Sequence, residues 1–77
     1  MAINPKTYYV GPGDWLSINL WGEANTIWKL PIMSEGNILI PNVGEVSVKD
    51  LTLSQAKNVI ISEIEKKYRN VKITIVL

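Results

Sequence analysis

The chain has 77 residues, room for one domain, and a chain of that size buries only ~60% of the surface its unfolded state exposes. Hydrophobic residues make up 47% and charged residues 19%, a globular composition, and a net charge of +1 creates no global field for nucleic acid or an anionic membrane. Cys and His are both missing, which excludes a disulfide framework, a thiol nucleophile, the usual general base and the commonest metal ligands.

Ile and Val together number 18 against three Ala, so the chain leans towards strand. The opening, Met1 to Lys6, has neither the apolar stretch nor the cleavage site of a signal peptide. No apolar run approaches the ~18 residues of a bilayer span. Either the protein is cytosolic or the sequence is a piece of a longer chain. A strand pattern that runs straight to Leu77 favours the piece.

Turn signals at Gly11-Pro12-Gly13-Asp14, Gly22, Ser34-Glu35-Gly36-Asn37, Pro41-Asn42-Val43-Gly44 and Lys49-Asp50 divide the chain. From Trp15 to Trp21 the residues alternate, with Leu16, Ile18 and Leu20 on one face and Trp15, Ser17, Asn19 and Trp21 on the other, which predicts a half-buried strand. Ile27 to Met33 is apolar but holds Pro31, which cannot donate to a ladder, and reads as an edge or irregular strand. Ile38 to Ile40 is a short strand ended by Pro41. Glu45 to Val48 is another, with Val46 and Val48 inward.

Thr52-Leu53-Ser54-Gln55 fits a capping box, with Leu51 placed to staple onto Ala56. Leu53, Ala56, Ile60, Ile64 and Tyr68 then form one apolar stripe at helical spacing. The helix is expected to carry i,i+4 pairs Glu63–Lys67 and Glu65–Arg69, cations at its end, and Asn70 in a left-handed cap. Lys57 lies at the edge of the stripe with its stem along the core. Val71 to Leu77 alternates again and predicts a last strand, free to pair parallel to an earlier one. The order β-β-β-β-α-β places the chain in the α+β class: a small mixed or antiparallel sheet of short strands, with the amphipathic helix on one face.

No catalytic constellation is legible. Ser54-Gln55-Ala56-Lys57 has Ser-x-x-Lys spacing, but it falls on the helix start, where Ser is a good first-turn residue. Gly11-Pro12-Gly13 is a tight turn; a phosphate cradle needs consecutive N–H groups, and Pro12 lacks one. Lys66, Lys67, Arg69 and Lys72 around Tyr68 read better as a solvated helix end than as a nucleic-acid patch. Trp15, Trp21 and Trp28 are the candidate interface residues, because indoles are enriched where partners or sugars bind. The competing reading packs them into a second small core with Tyr8 and Tyr9.

The string Tyr9 to Glu23, with Gly36 to Val46 and Leu51 to Ala56 after it, resembles the opening domain of the polysaccharide biosynthesis/export family. The resemblance runs from about Tyr8 to Leu77, and the whole of residues 1–77 reads as one such domain. Its structural motif positions are Gly11, Pro12, Gly13 and Asp14 before the first strand, Gly36 in a hairpin, Pro41 and Gly44 between two strands, and Thr52 and Ala56 at the helix start. Asp50 stands where the family usually shows Gly, and Asp tolerates the left-handed conformation. Pro31 and Met33 lie where the family varies.

The resemblance implies a non-catalytic periplasmic module of an outer-membrane export channel, contributing subunit packing and the wall of a polysaccharide conduit. Implied partners are other copies of the protein in a ring, the polysaccharide, and an inner-membrane polysaccharide copolymerase, with no nucleic acid and no cofactor. The signal and lipid anchor of such proteins are not in this sequence. A second reading is a stand-alone module that binds a soluble sugar or peptide on outward Trp residues.

Overall fold

The computed structural model describes residues 3–77. Met1 and Ala2, where the reading against a signal peptide and the 1–77 domain range begin, lie outside the described residues. The elements are β1 (Trp15–Gly22), β2 (Thr26–Pro31), β3 (Asn37–Ile40), β4 (Gly44–Ser47), α1 (Leu53–Glu65) and β5 (Val71–Val76).

Alternation in β1 sets the architecture. Leu16, Ile18 and Leu20 are all buried, and each such side chain stabilises the fold by roughly 1.5–3 kcal/mol relative to exposure. β1 is the centre of a three-stranded sheet of order β2-β1-β5, antiparallel to both neighbours. β2 is indeed an edge strand, and Pro31 sits at its end, opposite Trp15. The last strand is antiparallel to β1, not parallel to any neighbour.

The strands form two sheets rather than one. β3 and β4 make a separate antiparallel hairpin in which Ile38 faces Val46. Ile38, Ile40, Val46 and Val48 are buried in the same core as β1 and Ile75, so the hairpin closes one flank. Helix α1 adds Leu53, Ala56, Ile60 and Ile64. A hairpin alone is marginal in water; sharing a core with three other strands and a helix is what holds it.

The first turn of α1 leaves none of its four donors unpaired. Leu53 N–H donates to the Tyr8 carbonyl at 2.7 Å and Ser54 N–H to the Pro5 carbonyl at 2.8 Å. Gln55 N–H donates to Thr52 Oγ1 at 3.2 Å, and Ala56 N–H to the Thr52 carbonyl. Gln55 Oε1 accepts from Thr52 N–H at 3.0 Å and completes the predicted capping box. Tyr9 also bridges antiparallel to Thr52.

The helix ends at Glu65, earlier than its apolar stripe suggested. The chain needs residues 66–70 to turn back so that Val71 can meet Gly22. The predicted pair Glu65–Arg69 therefore falls outside the helix, and Glu63 pairs with Lys66 at 2.8 Å in place of Lys67. Asn70 is left-handed, with φ of 56°, but it turns the chain into β5 rather than capping the helix. Gly22 makes that turn feasible. It has φ of +120°, and a Cβ there would lie 2.3 Å from the Asn70 carbonyl oxygen. Asp50 adopts the left-handed conformation expected of it, with φ of 63°.

Candidate functional site

Register decides which aromatic residues face out. Directly opposite residues of an antiparallel pair share a face. Trp28 lies opposite Ile18 and so belongs to the core side, where its ring meets Tyr68 with centroids 6.1 Å apart and planes at 59°. Trp15 and Trp21 lie on the other side and are 58% and 46% exposed. The structure thus brings Trp15 and Trp21 to one surface and sends Trp28 to the opposite one. The second small core does not form: Tyr9 is exposed, and Tyr8 is engaged with Asp14. Period two around Lys29 carried the signal, since an outward Lys29 turns Trp28 inward.

Helix α1 covers the inner side of the sheet and nothing among the described residues covers the outer. Reading across the outer side, Pro31 lies beside Trp15, then Lys29 beside Ser17 and Val76. Ile27, Asn19 and Thr74 form the next row, and Trp21 with Lys72 the last. Ile27 is 66% and Val76 54% exposed. Lys29, Ile27 and Val76 join this face only through pairing, so alternation within β1 did not reveal them.

The Gly-Pro-Gly motif has a structural role. Asp14 accepts the Tyr8 hydroxyl hydrogen bond on both carboxylate oxygens, at 2.9 and 3.0 Å, and the Gly11 N–H at 3.0 Å. Asp14 N–H returns a bond to the Gly11 carbonyl, and the Asp14 carbonyl accepts from Ile32 N–H at 2.8 Å. The carboxylate thereby locks the turn to the start of β1, and the Asp14 backbone carbonyl ties that start to the chain leaving β2. The hydrogen bond to Asp14, reinforced by burial and by the carboxylate charge, holds the Tyr8 phenol above its ordinary pKa. The remaining motif residues are equally local in their work. Gly36 N–H donates to the Met33 carbonyl in the β2–β3 turn, Pro41 follows β3, Gly44 opens β4, Thr52 caps α1 and Ala56 is buried beneath it.

The basic cluster is dispersed. Lys66 pairs with Glu63, Tyr68 is half-buried against Trp28, and Lys72 stands on the outer sheet face beside Trp21. An open depression of about 530 Å³ beside the helix end is lined by Lys66, Arg69 and Asn70 among others, and a second of about 250 Å³ lies between the Gly-Pro-Gly turn and Lys49. Among the described residues no group of three or more His, Cys, Asp or Glu comes together to hold a metal ion. Among the described residues no helix is long and apolar enough to cross a membrane.

The described residues thus form a two-sheet α+β domain with a Gly-Pro-Gly-Asp turn locked by Tyr8 and a capped helix. Residues 2–77 match the family described as polysaccharide biosynthesis/export protein, and the chain belongs to it. It is similar to a polysialic acid transport protein KpsD of Escherichia coli, 33% identical over 70 residues. A second Escherichia coli protein of that name is 31% identical over 70 residues. Each alignment covers 91% of this chain and 12% of the relative, so the chain spans about an eighth of their length. No solved structure matches it.

Proposed function

We propose that the chain is a non-catalytic module of an outer-membrane polysaccharide export channel, acting on the periplasmic side. In this reading copies of the protein assemble into a ring, and the domain contributes both packing between subunits and part of the wall past which the finished polymer moves. An inner-membrane polysaccharide copolymerase is the partner expected to deliver the polymer. The family match across residues 2–77 carries the reading, and the named role of the Escherichia coli relatives in polysialic acid transport supports it. The chemistry agrees: the polar groups of the Gly-Pro-Gly-Asp turn are directed at each other, with Asp14 accepting from Tyr8 and Gly11, which suits a part that is built to hold shape.

Deletion of the gene carrying this chain in its native host is the test. The expected outcome is loss of surface polysaccharide with accumulation of polymer inside the envelope. Unchanged surface polysaccharide, or a halt in polymer synthesis itself, would refute the reading.

A further inference from the structure

We infer that the outer face of the β2-β1-β5 sheet is a weak binding surface for carboxylate-bearing glycan chains, laid along β1 between Trp15 and Trp21. The inference rests on the export reading and specifies which side of the domain meets the polymer.

Three observations carry it. The first is charge. Lys29 and Lys72 are the charged side chains on this face, both exposed, and neither forms an ion pair among the described residues. The acids that flank β1 lie beyond its two ends, where Asp14 accepts from Tyr8 and Gly11, and Glu23 accepts from Asn70 at 3.0 Å. Within the rows from Trp15 to Trp21 an anionic chain meets two cations and no carboxylate.

The second is the order of polar and apolar groups. Protein–protein contacts place apolar groups at the centre and polar groups at the rim. Here the middle of β1 is polar, with Ser17, Asn19 and the adjoining Thr74 making no side-chain hydrogen bond among the described residues, while the indoles stand at the two ends of β1 and Ile27 and Val76 lie on the outer strands. Trp15 and Trp21 are six residue steps apart along the strand, about 20 Å. Sugar rings stack on indoles and offer hydroxyls to amide and hydroxyl side chains in between, and that combination is what this face provides.

The third is area. Two half-exposed indoles with Ile27 and Val76 amount to about 300–600 Å² of apolar surface, the size of the largest patch on an ordinary monomer, whereas each partner in a stable complex contributes about 800 Å². The face holds a ligand loosely. Loose contacts repeated around a ring guide a polymer without arresting it.

The test is a titration of the isotopically labelled 77-residue chain, followed by amide NMR shifts. The probes are a galacturonic acid hexamer, maltohexaose as the neutral counterpart, and poly-glutamate as a sugar-free polyanion. The expected result is saturating shifts on β1, β2 and β5 with the acidic hexamer, half-complete at millimolar concentration and roughly threefold weaker in about 0.5 M NaCl. Trp15→Ala/Trp21→Ala abolishes the shifts, and Lys29→Gln/Lys72→Gln, which leaves the indoles in place and guards against misfolding of the first variant, weakens the acidic hexamer to the level of maltohexaose. Silence with the acidic hexamer, equal shifts with poly-glutamate, or shifts centred on α1 overturn the inference. So does movement of these amides on dilution of the protein alone together with a dimer in sedimentation, which assigns the face to a second copy. These outcomes are independent of the gene deletion: a strain that fails to export, with a protein that ignores the hexamer, keeps the export reading and removes this one.

Discussion

Replacing Ile60 by Ala tests the packing on which everything else stands. Ile60 is fully buried in the middle of α1, between Ala56 and Ile64 on the stripe that meets both sheets. Removing its outer carbons from a filled core costs about 2–5 kcal/mol. A 77-residue domain holds only about 4–12 kcal/mol in total, at 0.05–0.15 kcal/mol per residue. Ile60→Ala is therefore expected to remove close to half of the stability and to lower Tm by about 10 °C or more, at 4–8 °C per kcal/mol for a domain of this size. The adjacent Val59 is exposed, and Val59→Ala should change stability by no more than about 0.5 kcal/mol. Urea unfolding reports both variants: far-ultraviolet dichroism follows the helix, and fluorescence includes Trp28 beside Tyr68. The m-value should stay constant while the midpoint moves. A loss under about 1 kcal/mol for Ile60→Ala, or a larger loss for Val59→Ala, would refute the burial of this helix face.

Thr52→Ala should cost about 1 kcal/mol by freeing the Gln55 N–H, and adding Gln55→Ala should cost less than its own single effect, because both break one box; additive losses in a double-mutant cycle would contradict that. Gly22→Ala should destabilise by more than the ~1–2 kcal/mol of a left-handed backbone, since its Cβ meets the Asn70 carbonyl, whereas Gly44→Ala, with a similar φ and open space, should show the backbone cost alone; equal thermal shifts would sink the explanation. Tyr8 bound to Asp14 has a raised pKa when folded, so its stabilisation is complete below the unfolded value of about 10 and is lost as pH rises through the folded one. Alkaline unfolding curves should flatten in Tyr8→Phe, and an unchanged slope would show that the bond does not persist in solution.

The sequence made local features legible and left pairing obscure. The cap at Thr52, the stripe through Leu53, Ala56, Ile60 and Ile64, and the inward set of β1 each depend on residues within a few positions of one another, and each is found as expected. The helix end was misplaced because Tyr68 continues the apolar spacing although it is no longer helical; its ring is drawn to Trp28, forty residues away in sequence. The division into two sheets and the antiparallel placement of β5 depend on contacts between distant segments, which periodicity does not encode. The same limit applied to the outer face. Trp15 and Trp21 are readable as companions because they share a strand, whereas Trp28, Lys29 and Ile27 cannot be sorted between the two sides without the Ile18–Trp28 register.

The carbonyls of Pro5 and Tyr8 close the first turn of a helix that begins some forty-five residues later. The amino-terminal stretch is thus a keystone rather than a tail. Any cut made after Tyr8 would take both acceptors away from the helix, so two segments far apart along the chain settle together.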